Sequence, residues 1–314
     1  MKTTKSSLGR VNPMKRTMVS AALALVAAVL YVGDARSDGE TTPGGVAAVY
    51  GHVAPDQVEF LSTPERIISV ASSGGPSAIW EALEHGEKVE CLECIPAVTP
   101  LLYNENSENR EIAAWWLRRR IFGVFGAGEV YEQTLNTLKS DPSPQRRAYA
   151  ASALGEFLAA PGIAACAAAI TNDADAAVRA SAALALGRLN DDGGGAIARA
   201  LGDGDSRVKL AALTSIGRIT GFADSGSVGN LLTDGDAKVR RRALEVLDGM
   251  YARDKVAGVI NLAKSDPDAD VRLAACHALG KFGDASAKSA LESIAANDKD
   301  TFVRDQATIA LRRL

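Results

Sequence analysis

The sequence predicts an all-α protein, a right-handed α-solenoid of about seven stacked helix pairs. Three observations carry that prediction. A basic residue recurs at Arg110, Arg147, Arg179, Lys209, Arg240, Arg272 and Arg304, in steps of 37, 32, 30, 31, 32 and 32 residues. An alanine stands three places after each (Ala113, Ala150, Ala182, Ala212, Ala243, Ala275, Ala307) and an aliphatic residue seven places after (Leu117, Leu154, Leu186, Ile216, Leu247, Leu279, Leu311). Offsets of three and seven share one helix face. Finally, the chain is 47% apolar but only 5% aromatic. Much of that apolar share is alanine, which lets helices form easily and approach closely.

Residues 1–35 read as an export signal. Lys2, Lys5, Arg10, Lys15 and Arg16 form a basic stretch, Met18 to Val32 is an uncharged apolar run, and Gly33 and Ala35 give a small-x-small cleavage pattern. The run is shorter than the roughly 20 apolar residues that span a bilayer. Cleavage after Ala35 is therefore expected, with an uncleaved inner-membrane anchor over residues 18–32 as the alternative. The expected location is periplasmic or secreted, with membrane contact only through this segment if it is retained. Taking its five basic residues and Asp34 from totals of 35 and 38 leaves 30 and 37, a net charge of −7. An acidic chain repels phosphate backbones, so nucleic acid is excluded as a partner. Residues 36–56, around Thr41-Thr42-Pro43-Gly44-Gly45, read as a flexible linker.

Residues 57–94 are expected to form an N-terminal cap or degenerate repeat, helical on either side of Ser72-Ser73-Gly74-Gly75-Pro76. They hold Cys91 and Cys94, a pair that in an exported chain fits a local disulfide, two plain thiols, a redox couple or half of a metal site. Haem attachment would need a histidine where Ile95 stands, and zinc would need a fourth ligand beyond the two cysteines and His85. A thioredoxin-like role would need a βαβ context, which is absent. No cofactor or metal is assigned. Cys166 and Cys276 read as small core residues.

Over residues 95–314 each period offers a shorter helix, such as Ile163–Ile170, Val256–Ala263 or Ala287–Ala295, then an aspartate-bearing turn, then the helix with the basic residue. The turn aspartate is expected to cap the second helix. Gly155, Gly187, Gly217 and Gly280 are expected to end second helices in the left-handed conformation. An acidic residue six places before the basic one predicts a ladder of ion pairs: Asp141 with Arg147, Asp173 with Arg179, Asp203 with Lys209, Asp234 with Arg240, Asp266 with Arg272 and Asp298 with Arg304, each within its own repeat or shifted to the next. As exposed rungs they would be worth roughly 0–1 kcal/mol each and set register more than stability.

The first copy departs from the pattern at Trp115-Trp116-Leu117-Arg118-Arg119-Arg120. Large aromatics there suit a cap on the open end of the core. Trp115 with Arg118, Arg119 and Arg120 also suits a recognition patch. Variable positions one and five after the basic residue supply the other candidate partner contacts: Glu111, Arg241, Glu245, His277 and Asp305.

The turn aspartate, the Val-Arg step (Val178-Arg179, Val239-Arg240, Val271-Arg272, Val303-Arg304) and the closing Leu-Gly resemble the HEAT repeats, in particular the short PBS-lyase HEAT-like variety. The resemblance covers about residues 95–314. It is specific for fold and almost silent on function, since such repeats serve mainly as scaffolds; a scaffold that binds another protein is expected, and no enzymatic activity, because no catalytic constellation is found. The alternative is a cofactor-handling, lyase-like or thiol-redox protein that uses Cys91 and Cys94 on an envelope protein. No nucleophile elbow or phosphate loop is present. Asp266, Asp268 and Asp270 start like a calcium loop, but Val271 and His277 stand where it needs glycine and glutamate.

Overall fold

The computed structural model describes residues 62–120, 128–190 and 194–314. The expected export signal, the linker and residues 57–61 lie outside the described residues. Two helices lead, α1 (Pro64–Ser73) and α2 (Pro76–His85), separated by the Gly74-Gly75 break. Seven pairs follow: α3 (Cys94–Val98, continued by a 3-10 turn, Thr99–Tyr103) with α4 (Ser107–Arg118), then α5 (Glu129–Ser140) with α6 (Pro144–Phe157). Next come α7 (Pro161–Asn172) with α8 (Ala176–Leu189), α9 (Gly195–Leu201) with α10 (Ser206–Ile216), and α11 (Ser225–Asn230) with α12 (Ala237–Met250). The last are α13 (Val256–Ser265) with α14 (Ala269–Phe282) and α15 (Lys288–Asn297) with α16 (Thr301–Leu311). No strand occurs among the described residues.

Each first helix packs on its own second helix, and each second helix on the next, so α4, α6, α8, α10, α12, α14 and α16 form one continuous layer. The alanine–aliphatic stripe is the seam of this α-solenoid. All seven alanines are fully buried, as are Leu117, Leu154, Leu186, Leu247 and Leu279. Val178, Val208, Val239 and Val271, one place before the basic residue, are fully buried beside them.

The turns divide their work between two residues, which corrects the expected capping role of the aspartate. The residue six places before the basic one closes a short turn by accepting the amide two residues on, as Asp173 does from Asp175 at 2.9 Å and Asp266 from Asp268 at 2.9 Å. Its partner in that turn then caps the second helix. Asn106, Ser143, Asp175, Asp205, Asp236, Asp268 and Asp300 each accept an amide from the first turn. Amides left without an intrahelical acceptor are satisfied in this way.

The glycines are also corrected. Gly155, Gly187 and Gly280 lie inside helices, and a Cβ on them would come within 2.7–2.8 Å of Ala185, Ser215 and Ala310 on the next second helix. They are places of close helix approach. Gly217 ends α10 with φ −65, in the right-handed region. The left-handed helix ends fall instead on Leu158, Asn190, Tyr251 and Gly283.

Candidate functional site

A charged line runs along the joints between repeats. Arg147 grips Asp173 with Nε and Nη2 at 2.7 and 2.9 Å, and Arg179 grips Asp203 at 2.7 and 3.0 Å. Arg240 holds Asp266 at 2.7 and 2.8 Å, and Arg272 holds Asp298 at 2.8 and 2.9 Å. Lys209 pairs with Asp234 in the same place. The third guanidinium nitrogen turns back to the carbonyl of its own turn, for example Arg240 Nη1 to Asp234 O at 2.8 Å. Each arginine therefore fixes its own turn and clamps the next.

The structure decides between the two pairings that the spacing left open and corrects two expectations about this ladder. Its rungs join neighbouring repeats, never members of one repeat. They are also largely buried, with the Arg272 and Asp298 side chains 3% and 8% exposed, because the turns stack and shield them. And both ends drop out. Asp141 pairs with Arg146 at 2.9 Å, while Arg304 bonds only within its repeat, to Asp298 O and Thr301 Oγ1.

The pairing shows in the acidity of the carboxyls. Hydrogen bonds from Arg147, Arg179 and Arg272 hold Asp173, Asp203 and Asp298 below the usual carboxylate range, against the upward push of burial. For Asp234 and Asp266 burial is the largest single influence, yet bonds from Lys209 and Arg240 and from backbone amides still bring them down. The same carboxylates raise Arg147, Arg179, Arg240 and Arg272.

In the first repeat Trp116 is fully buried and donates from Nε1 to Gly86 O at 2.9 Å, while Trp115 is half-buried. Arg120 contradicts its assignment to a recognition patch. It lies 3.6 Å over the Trp116 ring and donates to Trp116 O, Gly86 O, Glu87 O and Val89 O at 2.6–3.2 Å. Only 4% of it is exposed, and burial pushes its pKa down to about 10, so it stays charged at neutral pH. Its work is to pin the segment after α2. That segment also contains the Cys91–Cys94 disulfide, whose cysteines are both buried.

The remaining candidate contacts lie on the outer faces of the second helices. Glu111 and Asp305 are exposed and Arg118 is half-buried. Arg119 is exposed and pairs with Glu87 at 2.8 Å. Arg241 stands 3.9 Å from Glu245, which accepts from Arg242 at 2.8 Å. His277 Nδ1 lies 3.7 Å from Asp248, a carboxylate shared with Lys281 at 3.1 Å. No other element brings these residues together into a single site.

Sequence reasoning missed a concave part of this face. Two adjoining open concavities over α4, α6 and α8 share Arg110, Tyr149 and Ser152. Arg110 lies 3.9 Å over the Tyr149 ring, and Gln145 Nε2 donates to Tyr149 Oη at 2.8 Å. Glu156, paired with Arg188 at one wall, is pushed up by burial. The one available signal was Tyr149, the only aromatic two places after a basic residue, where the other copies have Ile112, Ser181, Ala211, Arg242, Ala274 and Gln306.

Stacked helix pairs with a constant seam and a varied outer face define a repeat scaffold of the α-solenoid class. The HEAT-repeat profile matches residues 131–217 and 227–312, more than half of the chain. The chain belongs to the HEAT-repeat family. Among solved structures it is similar to YibA of Escherichia coli, with 16% identity, a TM-score of 0.55, and coverage of 88% of this chain and 100% of that one; the likeness is one of fold. Human deoxyhypusine hydroxylase in complex with glycerol (17% identity, 80% and 95% covered) and a designed armadillo repeat protein (15%, 70% and 99%) both align at a TM-score of 0.36. No curated protein matches by sequence.

Proposed function

We propose that this chain is an exported scaffold that holds a protein partner on the outer faces of its second helices. The observation that carries the reading is the contrast between seam and face. The alanine three places after the basic residue never changes, while the residues one and five places after it run through Glu111 and Trp115, Leu210 and Thr214, Arg241 and Glu245, and Leu273 and His277. These positions are uncharged in three successive copies (Ala148 and Ser152, Ala180 and Leu184, Leu210 and Thr214) and carry a charge, an indole or an imidazole in the other four; a row of such mixed character suits a polypeptide, which presents different groups along its length, better than one small molecule. The concavity at Arg110 and Tyr149 offers a stacked aromatic–guanidinium centre of the kind that dominates protein interfaces. Export rests on the basic, apolar and small-residue succession of residues 1–35.

The test is affinity capture with the tagged full chain from an envelope fraction, comparing wild type with Trp115→Ala and Tyr149→Ala. Both variants should keep native helicity, and each should weaken binding of the captured partner about tenfold or more. Partner binding unchanged in both variants would contradict this surface, and residence of the chain in the cytosolic fraction would contradict export.

A further inference from the structure

Seven large apolar side chains are exposed among the described residues, and three of them, Phe302, Ile309 and Leu314, fall in α16 or just after it. Phe302 is 73% exposed. At its position, two before the basic residue, the other copies carry Glu108, Gln145, Ala177, Arg207, Lys238 and Asp270. Phe302, Asp305, Ile309 and Arg312 succeed one another in steps of three, four and three residues, and all four are exposed. That spacing places them along one helix face. Arg312 has right-handed helical dihedrals, φ −71 and ψ −11, so the face continues through it. Neither Asp305 nor Arg312 makes an ion pair with another described residue.

We infer that a second copy of this chain covers the face, with α16 packed antiparallel on its mate about a two-fold axis. The order of the residues is complementary to itself. In an antiparallel pairing centred between positions 308 and 309, Asp305 comes opposite Arg312 of the second copy, and Ile309 meets its own equivalent beside the axis. Phe302 lies opposite the stretch just beyond Arg312, where Leu314 stands. A two-fold axis repeats each of these contacts, giving two ion pairs around an apolar centre.

Other occupants fit less well. A wholly acidic or wholly basic partner would satisfy one of Asp305 and Arg312 and repel the other. Asp305 and Ile309 stand one and five places after Arg304, in the same row as the partner-binding face proposed above; the pairing follows from the order of residues on α16 and holds without that reading.

The experiment is sedimentation of the full chain over a range of concentrations, in mild detergent so that residues 18–32 do not themselves associate. Wild type is compared with Asp305→Arg, Arg312→Asp and the double exchange. Wild type should form a dimer, each single exchange should weaken it about tenfold or more, and the double exchange should restore it. In parallel, Ile309→Cys should be captured as a covalent dimer by a short bis-maleimide, since Cys166 and Cys276 are buried. A chain that stays monomeric throughout, a dimer indifferent to both single exchanges, or a double exchange no better than the singles would overturn the inference.

Discussion

The first joint of the stack and the later joints hold neighbouring repeats by different means. From α6 onward an arginine or lysine reaches an aspartate 24–26 residues further along the chain. Between α4 and α6 the corresponding residues, Arg110 and Asp141, are 31 apart, because the first period is longer. The rung does not form there. Arg110 stacks on Tyr149 and bonds to Asn104 O and Glu105 O, while Asp141 turns to the more exposed Arg146. Five extra residues convert a buried ionic clamp into an aromatic–cation contact at the edge of an open concavity.

The largest effect should come from the seam that both kinds of joint share. Leu279 is fully buried between α14 and its neighbours, and Leu279→Ala should cost about 2–5 kcal/mol in chemical denaturation. A loss no larger than that of an exposed substitution would break the seam assignment.

The ladder comes next and separates the two kinds of joint directly. Asp266→Asn leaves Arg240 without its carboxylate and should cost about 1–3 kcal/mol. Asp141→Asn, outside the ladder, should cost less than about 1 kcal/mol. Equal losses would show that the first joint is clamped like the rest.

A smaller, pH-dependent effect follows from the same carboxyls. Their folded pKa values lie below the unfolded one, about 3.9. Their contribution is therefore complete above about pH 4 and is lost as pH falls from there through the folded values. The thermal midpoint should show no ladder-dependent change between about pH 5 and pH 8 and should fall in more acid solution. The deficit of Asp266→Asn relative to wild type should shrink over that acid range. A deficit that does not change with pH would place its origin outside the titration.

Most of the fold was legible in the sequence, because an alanine and an aliphatic residue at fixed offsets leave a helix one way to bury itself. The partners of Arg147, Arg179, Arg240 and Arg272 were half-legible. The acidic spacing was visible, but which aspartate each arginine reaches depends on how one turn stacks on the next. The second acidic or polar residue, from Asn106 to Asp300, recurs four places before every basic residue and could have revealed the helix caps. Arg120 read as surface because three arginines in a row usually are. Its burial arises from the carbonyls of residues 86, 87 and 89, more than thirty positions away. The concavity at Tyr149 was hidden for a similar reason, since it forms where α4, α6 and α8 come together.

Close glycine contact between successive second helices is the physical core of this account, and a pair of alanine substitutions tests it. A Cβ on Gly187 would stand 2.7 Å from the Ser215 side chain and 2.9 Å from its Cα, whereas one on Gly217 would meet nothing within 4 Å. Gly187→Ala should lower the thermal midpoint by about 3–10 °C, and Gly217→Ala should leave it within about 2 °C of wild type. Equal shifts in the two variants, or a larger one for Gly217→Ala, would contradict it.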